Sequence, residues 1–114
     1  MASLITTHVL DTSRGRPAEG VSISLERLDS AGNWQEVGSG AADVDGRSPD
    51  LLQKNRLVTG RYRMRFDTRL YYARMGTSTF YPSVTVEFEV DNADEHYHVP
   101  LLLSPFGYST YRGS

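Results

Sequence analysis

Histidine is scarce in this chain, three residues in 114, and all three lie in stretches of alternating polar and apolar residues. In Ile5-Thr6-Thr7-His8-Val9-Leu10, strand alternation puts Thr6, His8 and Leu10 on one face and Ile5, Thr7 and Val9 on the other. Downstream, His96, His98 and Pro100 share a face opposite Tyr97, Val99, Leu101 and Leu103. If the apolar faces make the core, His8 and His98 both project away from it. Should the two strands be neighbours, the imidazoles sit on one surface. A histidine with its ordinary pKa of about 6.5 is the usual general base near neutral pH. Two unrelated surface histidines produce the same pattern, so strand order has to decide between them.

Other constellations point to less. His96 and His98, at i and i+2, resemble a two-histidine metal arm to which His8 would add a third ligand. No acidic or thiolate residue is spaced to help, so no metal is expected. Asp43-Val44-Asp45-Gly46 looks like part of a calcium loop, but the frame puts Ala41 at position one and Leu52 at position twelve, which rejects it. A tight turn suffices for Asp45-Gly46. Arg47 follows that turn. The simpler reading pairs it with Asp43 or Asp45, worth about 0–1 kcal/mol. The functional one has its rigid fork clamp a planar anion or carbonyl. Arg61, Arg63 and Arg65 face Glu87 and Glu89 as cross-strand charge ladders, a structural pattern. The chain has no G-x-S-x-G, P-loop, H-E-x-x-H or G-x-G-x-x-G motif, so serine hydrolysis and nucleotide binding have no support.

Composition narrows the partners. The 12 basic and 14 acidic residues leave a formal charge of −2 with no basic block, which argues against nucleic acid and anionic membrane. Cysteine is absent, so disulfides, thiolate metal sites and cysteine nucleophiles are excluded. The apolar runs, such as Val99-Pro100-Leu101-Leu102-Leu103, are far too short to span a bilayer. The first residues lack a basic n-region and an apolar h-region, and the last four are no S-K-L or K-D-E-L address. A cytoplasmic protein is expected, or a peroxisomal one in a eukaryote.

The elements that must position these residues are mostly strands. Val21, Ile23 and Leu25, then Tyr62, Met64 and Phe66, then Val84, Val86, Phe88 and Val90 alternate with polar residues. Turn residues separate the runs: Asp29-Ser30-Ala31-Gly32-Asn33, Asp45-Gly46, Thr59-Gly60 and Asp91-Asn92-Ala93-Asp94. Strands are predicted near 4–10, 21–28, 34–41, 46–48, 60–67, 82–90, 95–103 and 107–111. One short helix is predicted over 68–75, capped by Asp67 or Thr68 and stopped by Gly76. The result is an all-β chain: one domain over 1–114, an antiparallel two-sheet sandwich of about eight strands with one helix.

Several segments together resemble the 5-hydroxyisourate hydrolases, the transthyretin-related enzymes of purine breakdown. They are the opening Leu4-Ile5-Thr6-Thr7-His8-Val9-Leu10-Asp11-Thr12, the turn Asp43-Val44-Asp45-Gly46-Arg47, the piece Phe80-Tyr81-Pro82 and the ending His96-Tyr97-His98-Val99-Pro100 through Tyr111-Arg112-Gly113-Ser114. The terminal Y-R-G-S is the specific part, since the hormone carrier transthyretin lacks it. The resemblance implies a transthyretin-like sandwich assembled as a homotetramer, a dimer of dimers, with the substrate channel between dimers. It implies that His8, Arg47, His98 and the tail come from the first, fourth, seventh and eighth strands, joined in one sheet. It implies hydrolysis of 5-hydroxyisourate to 2-oxo-4-hydroxy-4-carboxy-5-ureidoimidazoline without a cofactor. His8, Arg47 and His98 would be catalytic. Tyr111, Arg112 and Ser114, the last through a free carboxylate, would join His8 and Arg47 in binding the substrate. A transthyretin-like carrier without chemistry is the alternative. A zinc hydrolase built on His8, His96 and His98 is a second one.

Overall fold

Alternation decides which side of a half-buried strand stays dry, and the computed structural model, which describes residues 4–52 and 57–114, shows it most cleanly over 5–11 and 62–66. The strands are β1 (Ile5–Asp11), β2 (Arg16–Pro17), β3 (Ser22–Leu28), β4 (Trp34–Ala41), β5 (Gly60–Asp67), β6 (Val84–Val90), β7 (Tyr97–Ser104) and β8 (Gly107–Thr110). The helix α1 (Thr68–Ala73) lies between β5 and β6. The strands form two four-stranded sheets, ordered β2-β1-β7-β8 and β4-β3-β5-β6. Ile5, Val9, Tyr97, Val99, Leu101 and Leu103 of the first sheet are buried in one core with Ile23, Leu25, Tyr62, Met64 and Phe66 of the second. Among the described residues no helix is long and apolar enough to cross a membrane. Positions 1–3, where the reading of the N-terminus begins, lie outside the described residues.

Four details differ from the expected arrangement. First, the sandwich is not wholly antiparallel: β1 and β7 run parallel, with Ile5 opposite Tyr97 and Asp11 opposite Leu103. A parallel pair needs a long crossover. Here the crossover includes the second sheet and the helix, which no local pattern announces. Second, 46–48 is not a strand. Only Arg47 bridges to His8, because Gly46 turns the chain at φ 80° and Pro49 has no N–H to extend a ladder. Third, the outer edge of β1 is covered instead by the two-residue β2, too short to show a period. Fourth, β8 ends at Thr110, and the tail crosses back to bridge Gly113 to His98.

The helix starts where its cap predicts. Asp67 accepts a hydrogen bond from the Leu70 N–H at 3.1 Å. The helical turn then ends in Gly76 at φ 66°. Thr68, Tyr71 and Tyr72 are its buried residues. Tyr71 donates its hydroxyl to Asp11 Oδ2 at 2.8 Å, and Asp11 Oδ1 accepts from the Ser13 N–H and hydroxyl at 3.0 and 2.6 Å. Asp11, at the end of β1, is fully buried. Burial, and then the bond to Asp11, push the Tyr71 phenol above its usual pKa, so it stays a donor. This network ties the helix to the strand that carries His8. Tyr71→Phe should therefore cost about 1.5–3 kcal/mol, as expected for loss of a hydrogen bond to a charged group. A urea unfolding curve with unchanged slope and a lower midpoint is the expected result; an unchanged midpoint would show the bond to be dispensable.

Candidate active site

The site is a consequence of the β1–β7 register. Thr6 lies opposite His98 and His8 opposite Pro100, so the outward residues of the two strands share one surface. His8 in turn bridges to Arg47, and His98 to Gly113 of the tail. A cavity of about 260 Å³ opens there, lined by Arg47, Pro49, His96, His98, Ser114 and the Thr6-Thr7 pair. His98 also lines a second cavity of about 320 Å³ with Tyr111, Arg112 and residues of β6. The six expected site residues are thus distributed: Arg47 and Ser114 on the first cavity, Tyr111 and Arg112 on the second, His98 on both, and His8 beside Arg47. A roomier groove of about 740 Å³ runs over the other sheet past Ser22, Ser24, Arg65 and Arg69, with no histidine in its lining. Volume alone does not mark the reactive surface.

Hydrogen bonds orient each imidazole. His8 Nε2 lies 2.9 Å from the Asp45 carbonyl oxygen. A carbonyl only accepts, so Nε2 carries the hydrogen and, in the neutral ring, Nδ1 keeps the free lone pair. His98 Nδ1 lies 2.8 Å from Thr6 Oγ1, which leaves its Nε2 as the uncommitted nitrogen. His96, expected only as a metal arm, sits just before β7 with Nε2 2.9 Å from the same Thr6 oxygen. Its ring stacks on that of His98, 6.2 Å between centroids. Among the described residues no three His, Cys, Asp or Glu side chains come together to hold a metal. Burial, then the positive charge available at His96, Arg47 and His8, pull the His98 pKa below its ordinary 6.5.

Arg47 is placed by its turn. Asp43 spends a carboxylate oxygen on the backbone N–H groups of Asp45 and Arg47, at 2.9 and 3.0 Å. The Val9 N–H donates to the Gly46 carbonyl at 2.8 Å, fastening the turn to β1. A Cβ on Gly46 would meet the Val9 carbonyl oxygen at 2.4 Å, so only glycine allows this approach. The expected ion pair with Asp43 or Asp45 does not form; the ion pairs among the described residues are elsewhere. The guanidinium is left for the cavity. Arg112 has the opposite fate. It pairs with Glu95 at 2.9 Å and lies 4.7 Å from the Tyr97 ring centroid, anchoring the tail. Gly113 then passes so close to His98 that a Cβ would meet its Cδ2 at 2.5 Å. The sequence reading missed Thr6 as a site residue, although its place on the histidine face was visible.

One outer sheet face thus presents two imidazoles, one of them with its tautomer fixed by a carbonyl, a guanidinium that forms no ion pair among the described residues, and a polar tail. The model of the HIUase/Transthyretin family matches residues 5–113, and the chain belongs to that family. It is 44% identical over 114 residues to a 5-hydroxyisourate hydrolase of Mus musculus, covering 99% of this chain and 97% of that one. A 5-hydroxyisourate hydrolase of Salmonella typhi is 42% identical over 113 residues, covering 99% and 82%. Among solved structures, sea bream transthyretin in complex with thyroxine superposes with a TM-score of 0.91 at 29% identity, covering 97% and 95%. Klebsiella pneumoniae 5-hydroxyisourate hydrolase superposes at 0.85 and 34% identity, covering 96% and 97%.

The lowered His98 pKa has a definite sign. The neutral, proton-accepting form should persist at pH values where an ordinary histidine, at 6.5, is already half charged. An NMR titration of His98 should show a midpoint below that value. A midpoint above it would mean that neither burial nor the neighbouring cations govern the ring.

Proposed function

We propose that this protein hydrolyses 5-hydroxyisourate to 2-oxo-4-hydroxy-4-carboxy-5-ureidoimidazoline, a step of urate breakdown. The observation that carries the reading is the convergence of His98, Arg47 and Ser114 on one cavity with His8 beside them. The names of the relatives support the substrate. Water attacks a ring carbonyl and the acyl C–N bond breaks; the nitrogen takes up one proton, the carbonyl carbon becomes a carboxylate, and the water's second proton goes to solvent. His98 Nε2 and His8 Nδ1 are the two nitrogens free to take the water's proton; such general-base help is typically worth about 10²–10⁴-fold. Arg47 holds the planar ring and stabilises the oxygen as it gains charge. Tyr111 and Ser114 orient the substrate, and Arg112 contributes by holding the tail against Glu95 and Tyr97.

A single sheet face makes a shallow site. A second dimer stacked over it would wall the site and strengthen every charge interaction inside. The reading therefore includes a homotetramer, a dimer of dimers. Light scattering should give a mass near four times 12.8 kDa. A fully active monomer would separate assembly from catalysis.

The direct test follows hydroxyisourate absorbance after urate oxidase acts on urate. Micromolar protein should accelerate its decay; an unchanged decay would promote the carrier reading, which has no use for the paired imidazoles. His8→Ala and His98→Ala should each lower the rate by about 10²-fold or more with folding intact, since both face away from the core. A variant that merely unfolds would overturn that face assignment.

A further inference from the structure

Thr6 links two imidazoles that the reaction above does not connect. Its Oγ1 is 2.8 Å from His98 Nδ1 and 2.9 Å from His96 Nε2. A hydroxyl has one hydrogen, so it donates to one ring and accepts from the other. Two arrangements satisfy all three groups. In the first, His98 Nδ1–H donates to Thr6 and Thr6 donates to His96, leaving His98 Nε2 bare. In the second, His96 Nε2–H donates to Thr6 and Thr6 donates to His98 Nδ1, so His98 carries its hydrogen on Nε2. His96 is exposed while His98 and Thr6 are half-buried, so the chain of bonds runs from the cavity to solvent.

We propose that Thr6 is a proton relay between His98 in the cavity and His96 at the surface, letting His98 act as base and then as acid within one turnover. The proposal rests on the hydrolytic reading. In the base half, water gives a proton to His98 Nε2. The His98 Nδ1 proton passes to Thr6 Oγ1, the Thr6 proton passes to His96 Nε2, and His96 releases its Nδ1 proton to solvent. The network now stands in the second arrangement. In the acid half, His98 gives its Nε2 proton to the leaving nitrogen. Thr6 returns its proton to His98 Nδ1, His96 Nε2 re-protonates Thr6, and His96 takes a proton from solvent at Nδ1. The first arrangement is restored, with one proton delivered to solvent and one recovered.

Other groups face His98: His8 on β1, Arg47 on the turn, His96 before β7, and the tail, with Gly113 against the ring and Ser114 across the cavity. None of them offers a bonded path to solvent from His98 Nδ1; the Thr6 hydroxyl does. His96, at the exposed rim of the same cavity, is therefore a second proton-transfer residue, acting on His98 through Thr6.

The test uses the full chain and its Thr6→Val, Thr6→Ser and His96→Ala variants. Thr6→Val keeps the shape and removes the hydroxyl. It should lower kcat by about 10²-fold, the lower end for a positioned proton-transfer group, with KM unchanged. Thr6→Ser should restore the rate. His96→Ala should reproduce the loss and recover with added imidazole buffer, and the double variant should be no slower than Thr6→Val alone. A His96→Ala enzyme with wild-type kcat, or losses that multiply in the double variant, would overturn the relay. The imidazole ¹⁵N resonances report the network without substrate. At alkaline pH the His96 Nε2 and His98 Nδ1 resonances should each report a hydrogen bond in the wild type, and both should shift in Thr6→Val. A Thr6→Val spectrum in which neither nitrogen moves overturns the relay even if the protein hydrolyses hydroxyisourate. Linked shifts in a protein that leaves hydroxyisourate unchanged would support the network and reject the hydrolytic step assigned to it.

Discussion

The parallel pairing of β1 with β7 is the constraint on which the rest of the molecule depends. The two strands lie at opposite ends of the chain, so their register is set by everything folded between them. It is pinned above by the Tyr97 N–H on the Leu4 carbonyl at 2.7 Å and below by the Thr12 N–H on the Leu103 carbonyl at 2.8 Å. In the middle, the buried Thr7 hydroxyl donates to the Val99 carbonyl at 2.6 Å. A slip of one residue would turn His98 into the core and Val99 out to solvent. The hydrophobic cost of that exchange protects the site, although no site residue contributes to it. Asp11 adds a second lock, because a buried carboxylate has to keep its donors and so keeps the helix over the end of β1.

The faces of the strands were legible in the sequence because half-buried strands alternate with a period of two, which survives any topology. Thus His8 and His98 could be assigned to the outer side without knowing which strands meet. The helix was legible for a local reason also, the Asp67 cap. What escaped was non-local or too short. The parallel hand of β1 and β7 has no signature in either strand, and β2 is two residues long. Arg47 is intermediate. The Asp45-Gly46 turn that aims it is plain in the sequence, yet the fastening of that turn to Val9 is tertiary, and so the guanidinium's freedom from Asp43 was not foreseeable. Arg112 is a similar case: its residue type is plain in the sequence, while its contacts with Glu95 and Tyr97 are tertiary.

Electrostatics give the site its character. Arg47, His8 and His96 all disfavour a charged His98, and burial does so more strongly. The ring is thereby kept as an available acceptor at neutral pH, at the expense of intrinsic basicity. Arg47, which stays charged, also favours an oxygen that gains negative charge. In the proposed reaction one arrangement of charges would serve two needs of an acyl hydrolysis, an unprotonated base and a stabilised oxyanion.

The alternation that separates core from site also separates stability from chemistry along each strand. In β1 the inward residues Ile5, Thr7, Val9 and Asp11 are buried, while Thr6, His8 and Leu10 remain partly accessible. Substitutions on the outer face therefore change what the surface does at little cost to the packing beneath it. Sea bream transthyretin in complex with thyroxine and Klebsiella pneumoniae 5-hydroxyisourate hydrolase share this backbone closely. The backbone thus says little about which of those tasks a member performs. In the proposed reading, the outward residues of β1 and β7, the turn at Gly46 and the tail that crosses His98 carry that information. Here they present imidazole, hydroxyl and guanidinium groups, with glycine where the turn meets β1 and where the tail meets His98.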